Sequence, residues 1–340
     1  MPSGLKATGP DSSCNNRPEG LRGQASGATA HFPAPPFALL FPERTVVNIG
    51  VLLALAAYAV YAWGDGIIKS FSGELSVFEI GFFNILFGSL FLLFLKPKGE
   101  QWNGFWRTMR RPWAVHARAF FGVAAGMLSV YAFTTIPMAE VYAVFFLSPI
   151  LVTLLSIVIL KEQVGPWRWM AVVMGFFGVL LVVRPGFREL ELGHLAALIV
   201  AFLAASTIIL MRSLQGERQT TVLGMLVVYT LVFNGIAMLA TSSFNPPDWK
   251  TWVLLILSGL CTAGGHRLLL LATRQAPANL VAPTHYSQII WAVIIGASFF
   301  DEVPDWLSIT GAAVVIASGL LTIIREQIRL GAARFLRNRI

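Results

Sequence analysis

Residues 134–162, TTIPMAEVYAVFFLSPILVTLLSIVILKE, and residues 274–302, RQAPANLVAPTHYSQIIWAVIIGASFFDE, are two versions of one pattern. At an offset of 140 residues Pro137 falls on Pro277, Val141 on Val281, Ile150 on Ile290 and Glu162 on Glu302, without a gap. The register runs outward from Ala132 on Ala272 to Leu180 and Leu181 on Leu320 and Leu321. Apolar coincidences are cheap in so apolar a chain. Two prolines and two glutamates, each at a helix boundary, are not, and they mark the halves as copies of one unit.

Composition fixes what the unit is made of. Of 340 residues 56% are hydrophobic and only 12% are charged, with a mean hydropathy of +0.70. That excludes a soluble domain of this length. A spanning helix needs about 20 predominantly apolar residues. Ten stretches qualify, at 46–69, 77–95, 116–135, 138–160, 167–184, 194–212, 221–241, 250–273, 276–299 and 306–324. None shows the alternating polarity of a membrane β-strand. The expected fold is an all-α polytopic membrane protein of ten transmembrane helices.

Five helices per copy is an odd number, so the second copy enters the membrane upside down and the halves form two inverted five-helix repeats. Charge placement supports this, because cytoplasmic loops attract Lys and Arg. With both termini inside, 20 of the 25 cationic residues lie on the inner side, among them Arg107, Arg110, Arg111, Arg218 and Arg274. The outer side holds Lys69, Arg184, Arg188 and Lys250, and Arg267 lies within a helix. The last outer turn, DEVPD at 301–305, is purely acidic. The net charge of +8 is thus topology, with an inner face suited to anionic lipid; it points to no nucleic acid.

Residues 1–45 carry seven Pro, five Gly and four Ser and read as a disordered cytoplasmic arm without a signal-peptide pattern. The repeats are expected at 46–186 and 193–326, followed by a basic cytoplasmic tail at 327–340. The stretch IREQIRLGAARFLRNRI suits either a helix lying on the inner leaflet or a solvated tail. Cys14 and Cys261, the only two cysteines, have no metal-type spacing.

Two longer segments carry a resemblance: TTIPMAEVYAVFFLSPILVTLLSIVILKEQVGPWRWMAVVMGFFGVLLVVRPG and ATRQAPANLVAPTHYSQIIWAVIIGASFFDEVPDWLSITGAAVVIASGLLTIIRE. The proline after a short turn, the glutamate after the following helix and the small-residue last helix occur together twice. The chain resembles, over about residues 46 to 326, the EamA-domain ten-helix family of the drug/metabolite transporter superfamily. The resemblance implies a carrier of small organic solutes in a bacterial-type inner membrane, with a central cavity to which the fourth and ninth helices contribute. Many such chains carry Arg in the second helix where GFFNILFG places Asn84 here.

Depth in hydrocarbon sorts the polar residues, since a charge at the bilayer centre costs about 2.5–3.5 kcal/mol on insertion scales. His285 lies near the middle of the ninth span with Gln288 one turn on, and Val281 and Ala292 continue the stripe. Pro283 breaks the helix beside them, as Pro149 does beside Ser148 in the first half. Tyr286, Ser148 and Tyr142 complete this candidate substrate site. The bland alternative is polar glue between helices. Trp63 and Trp291 sit inside helices, unlike the other tryptophans, and could wall the cavity or simply pack. Asp65 and Lys69, four apart, can pair on one face and are candidates for coupling or charge recognition. Arg267, beside His266, either contacts an anion or snorkels to headgroups. Glu79 and Glu140 read as boundary charge.

No nucleotide-binding loop, zinc spacing or nucleophile motif is present. No cofactor, metal or catalytic residue is therefore expected, and the chain is expected not to be an enzyme. The leading expectation is a secondary active transporter of a small-molecule metabolite, coupled to protons or working by exchange, in contact with membrane lipid. A monomer suffices and a dimer is compatible. A flippase for a lipid or lipid-linked solute is the alternative within this class; a non-transporting receptor or an intramembrane enzyme is the alternative outside it.

Overall fold

A computed structural model describes residues 43–94, 104, 106–107, 109–161, 165–184 and 189–337. Among these the chain is helical, with no strand. The first rods are α1 (Glu43–Ser70), α2 (Val77–Phe94) and α3 (Pro112–Thr135). The fourth is broken into α4 (Met138–Phe145) and α5 (Ser148–Leu160), and α6 (Pro166–Val183) completes the first half. The second half has α7 (Leu192–Ser213), α8 (Gln219–Ala240) and α9 (Trp249–Gln275), then a rod broken into α10 (Ala278–Val281), a 3-10 turn (Ala282–Tyr286) and α11 (Ser287–Phe299), and finally α12 (Trp306–Arg337). The chain is an all-α polytopic membrane protein. Among the described residues six segments are long and apolar enough to cross a membrane: Ile49–Ser70, Pro112–Thr135, Met138–Ile159, Leu192–Met211, Gln219–Ala240 and Trp249–Gln275.

Helix starts follow local chemistry. Ser76 and Glu79 form a capping box on α2, with Ser76 N donating to Glu79 Oε2 (3.0 Å) and Glu79 N donating to Ser76 Oγ (3.1 Å). Thr251 N donates to Asp248 Oδ1 at 2.8 Å to cap α9. Ser308 N donates to Asp305 Oδ1 at 2.9 Å at the head of α12. The Arg184 guanidinium bonds the same carboxylate, and together they hold Asp305 well below the ordinary carboxylate range. Asp305 therefore favours the folded state above its unfolded pKa, and that contribution fades as pH falls through the folded value.

The packing repeats as the sequence does. Helix α1 packs on α9 and α3 on α7; α2 packs on α9 and α3 on α8; α1 packs on α11 and α5 on α7. Each pairing is the other's image when the halves are exchanged. The pairs α2 with α8 and α6 with α12 are their own images, and α4 also packs on α11. Because lipid tails are as apolar as Leu, such contacts depend on close packing and polar bonds. A Cβ on Gly178 would lie 2.9 Å from Gly311 O, and one on Gly311 2.6 Å from Gly178 O, so α6 and α12 touch backbone to backbone. Asn84 Nδ2 donates to Ser258 Oγ at 3.2 Å, and Thr262 Oγ1 donates to Asn84 Oδ1 at 3.4 Å. In this chain that second-helix position stitches α2 to α9.

The last span and the basic tail are one continuous 32-residue helix to Arg337, with no turn between them. Of the expected arm at 1–45, only the last three residues lie among those described, as the start of α1. Cys14, Glu162 and Arg188 also lie outside the described residues.

Candidate functional site

The site grows from one face of α1. Tyr58, Tyr61 and Asp65 are spaced three and four apart, which stacks them along one side of a helix. Facing them are the two interrupted rods. Pro149 and Pro283 each sit within the first two positions of the segment that follows the interruption. Proline removes a backbone donor there, so the second rod tightens into a 3-10 turn and the first bends through Phe146 and Leu147. Irregular backbone at membrane depth survives where protein or water meets the freed groups.

These breaks turn a cluster of rings toward α1. Tyr58 stacks on His285 with centroids 4.8 Å apart and planes at 27°. Phe146 meets His285 edge-on at 5.1 Å and Tyr286 at 4.8 Å. Tyr61 meets His266 edge-on at 5.3 Å. The Tyr142 hydroxyl donates to Asp65 Oδ2, which joins α4 to α1. Gln288, 6% exposed, is hydrogen-bonded to His285 through its side chain. Tyr286 is also 6% exposed. His285 itself remains exposed, although one ring covers its face and another its edge. The region between α1 and the two broken rods, where this exposed side chain stands, is the candidate chamber.

One end of the chamber is tied shut. Lys69 Nζ donates to Phe133 O (3.2 Å) and Ile136 O (2.9 Å) and forms an ion pair with Glu302 Oε1 at 2.7 Å. Glu302 Oε2 accepts from Met138 N at 3.0 Å, at the start of α4. A single cation thus joins the end of α1 to the end of α3 and to the α11–α12 turn. At the same end His194 Nε2 lies 2.9 Å from Glu140 Oε2, and Asn245 N donates to Glu79 Oε1 at 2.9 Å. Glu79 and Glu140 are structural ties of this closed end.

The structure therefore brings together Asp65, Tyr142, His285, Tyr286 and Gln288, with Ser148 two residues beyond Phe146 at the start of α5. It separates others. Asp65 and Lys69 do not pair with one another; each is taken by a different partner across the interface. Trp63, 42% exposed, lies on the opposite face of α1 and meets Phe299 edge-on at 5.8 Å. Trp291 packs half-buried against the main core. Arg267 shares its helix face with exposed Val253, Ile256 and Leu260, away from the rings. Val281 leaves the expected stripe and packs with Ala54, Ala272 and Ala276, because the 3-10 turn changes the register between it and His285. Tyr58, Tyr61 and Phe146 were not singled out from sequence. The spacing of Tyr58, Tyr61 and Asp65 on one helix face was the available signal.

Two recesses lie apart from the chamber. One, of about 520 Å³, opens at the closed end between Ser70, Glu74, Asp248 and Lys250. The other, of about 330 Å³, is apolar and lies between Val182, Ile290, Ile294 and Ala313. Among the described residues no three His, Cys, Asp or Glu side chains are grouped to hold a metal ion.

Comparison with known proteins agrees with this architecture. The chain is 27% identical over 304 residues to human solute carrier family 35 member G1, covering 82% of this chain and 80% of that one. It is 29% identical over 295 residues to a riboflavin transporter of Rhizobium johnstonii, covering 85% and 94%. One crystal structure shares the fold with a TM-score of 0.56 at 16% identity, over 84% of this chain and 99% of that one. The model of the EamA-like transporter family matches twice, at residues 48–184 and 191–324, one match per half, and the chain belongs to that family.

Proposed function

We propose that this protein is a secondary active transporter that moves a small organic metabolite by alternating access between two inverted five-helix repeats. The observation that carries the reading is the exposed His285 held between α1 and the two broken rods, with Gln288, Tyr286, Tyr142 and Asp65 around it. A site near the midplane between repeats, formed by discontinuous helices, is what alternating access requires. Paired packing that maps onto itself when the halves exchange gives two related arrangements for the chain to alternate between. The riboflavin transporter among its relatives fits a metabolite as solute.

In this reading the domains are the repeats at 46–186 and 193–326 with a terminal arm and tail. On the same reading the membrane is a bacterial-type inner membrane and both termini are cytoplasmic, as the excess of Lys and Arg on that side favours, so the end tied by Lys69 and Glu302 faces outward and the chamber opens to the inside. Transport is coupled to protons or to exchange. Asp65 and His285 are the groups in the chamber able to carry a proton, and lipid is the surrounding solvent.

Reconstitution into sealed proteoliposomes tests this. Pooled isotope-labelled metabolites should enter without chemical change, faster with an imposed pH gradient. His285→Ala and Gln288→Ala should each lower that flux about tenfold in protein that inserts normally, as expected for loss of one hydrogen-bonded contact of about 1–2 kcal/mol. Product formation in place of flux would move the assignment to an intramembrane enzyme. Binding without flux would make it a receptor, and flux of lipid alone a flippase.

A further inference from the structure

The chamber carries more than a place for a solute; its chemistry selects a charge. Four of the six tyrosines in the sequence, Tyr58, Tyr61, Tyr142 and Tyr286, gather there with Phe146 and the imidazoles of His266 and His285. Aromatic faces carry negative charge density and attract cations, most strongly where water is scarce. Among these rings stands one carboxyl group, Asp65, bonded to the Tyr142 hydroxyl.

Among the described residues no Lys or Arg joins this cluster. Lys69, one turn from Asp65, is committed to Phe133 O, Ile136 O and Glu302 at the closed end. Arg267, next to His266, lies on the face of α9 shared with exposed Val253, Ile256 and Leu260. An anionic solute would therefore meet one carboxyl group and several ring faces with no fixed cation to offset its lost hydration. A cationic one would meet a counter-charge and an aromatic cage. Flatness follows from the same geometry: Tyr58 and His285 already lie nearly parallel, and the exposed part of His285 offers a surface on which another ring can stack.

Resting on the transporter reading above, we propose that the solute is a small organic cation, or a zwitterion presenting its cationic group, with a flat ring, held by Asp65 and the cage of Tyr58, Tyr61, Phe146 and His285.

Three nicotinic-acid derivatives of one ring size separate the charges: 1-methylnicotinamide (cation), nicotinamide (neutral) and nicotinate (anion). Binding to the full chain in nanodiscs, followed by intrinsic fluorescence and equilibrium dialysis, should rank the cation at least about tenfold tighter than the neutral amide, with the anion weakest. Asp65→Asn should remove the preference for the cation over the amide, read as the ratio of the two affinities within the variant. Tyr58→Leu, which retains the carboxyl group, should weaken all flat probes together. Should Asp65→Asn fail to insert, the Tyr58→Leu series and the wild-type ranking still decide. A wild-type ranking in which nicotinate or nicotinamide equals the cation overturns the proposal, as does cation selectivity that survives Asp65→Asn. Vesicular flux is scored separately. Ranked cation binding with no flux of any probe or metabolite pool would uphold the charge class and remove the transporter reading. Flux of anionic or neutral metabolites without cation preference would do the reverse.

Discussion

Lys69→Met should destabilise the closed form by about 3–5 kcal/mol, the range for removing one partner of a buried ion pair. The Lys69 side chain is 9% exposed and that of Glu302 20%, so water screens the pair little. The substitution leaves Glu302 Oε1 charged and unpaired, and it strips Phe133 O and Ile136 O of their donor. Glu302→Gln should cost less. Lys69 keeps both carbonyls, and the amide oxygen of Gln can still accept from Met138 N. The double variant should be less damaged than the sum of the singles, with a coupling energy of about 2–3 kcal/mol, near the upper end for residues in one network. Thermal unfolding in detergent for the four members of the cycle measures this directly. The same loss should shift the balance between closed and open forms, and proteoliposome flux should change in both single variants. Simple additivity would mean that Lys69 and Glu302 do not act as a tie.

Sequence made some of this geometry legible and left some out of reach. The offset that sets Pro137 on Pro277 and Glu162 on Glu302 marked the halves as copies, and Pro149 and Pro283 marked the two rods that break, because proline removes a backbone donor that hydrocarbon cannot replace. Hydropathy gave the rods for the same reason: every backbone polar group in hydrocarbon must be satisfied inside its own helix. Rotation about a helix axis was harder. Trp63 and Asp65 are two residues apart, and only packing decides which of them turns inward. His285 and Gln288 read correctly as neighbours, but the stripe drawn through Val281 assumed an α-helical register that the 3-10 turn does not keep. Lys69 and Asp65 looked like a pair because they are four apart on one helix, whereas their partners, Glu302 and Tyr142, come from distant segments that local spacing cannot announce. Tyr58 and Tyr61 passed as ordinary apolar residues of a membrane helix until His285 and His266 were found against them.

Gly319→Ala should be a damaging single-methyl change in the last helix. A Cβ at this position would lie 1.6 Å from Tyr286 Oη and 2.3 Å from its Cζ, far inside van der Waals contact, so the tyrosine ring has to move. Forcing an extra carbon into a packed interior typically costs about 1–3 kcal/mol, and an overlap this deep belongs at the top of that range. The consequence should reach the chamber, since Tyr286 lies 4.8 Å from Phe146 and follows His285 directly in the 3-10 turn. Flux should therefore fall by more than the loss of folded protein explains. Tyr286→Phe in the Gly319→Ala background should recover little, because removing the hydroxyl still leaves Cζ too close. Tyr286→Leu in that background should restore the thermal midpoint while transport stays impaired, because space returns but the ring beside Phe146 does not. Equal stability and flux in wild type and Gly319→Ala would show that Tyr286 is free to swing away and has no fixed place in the chamber wall.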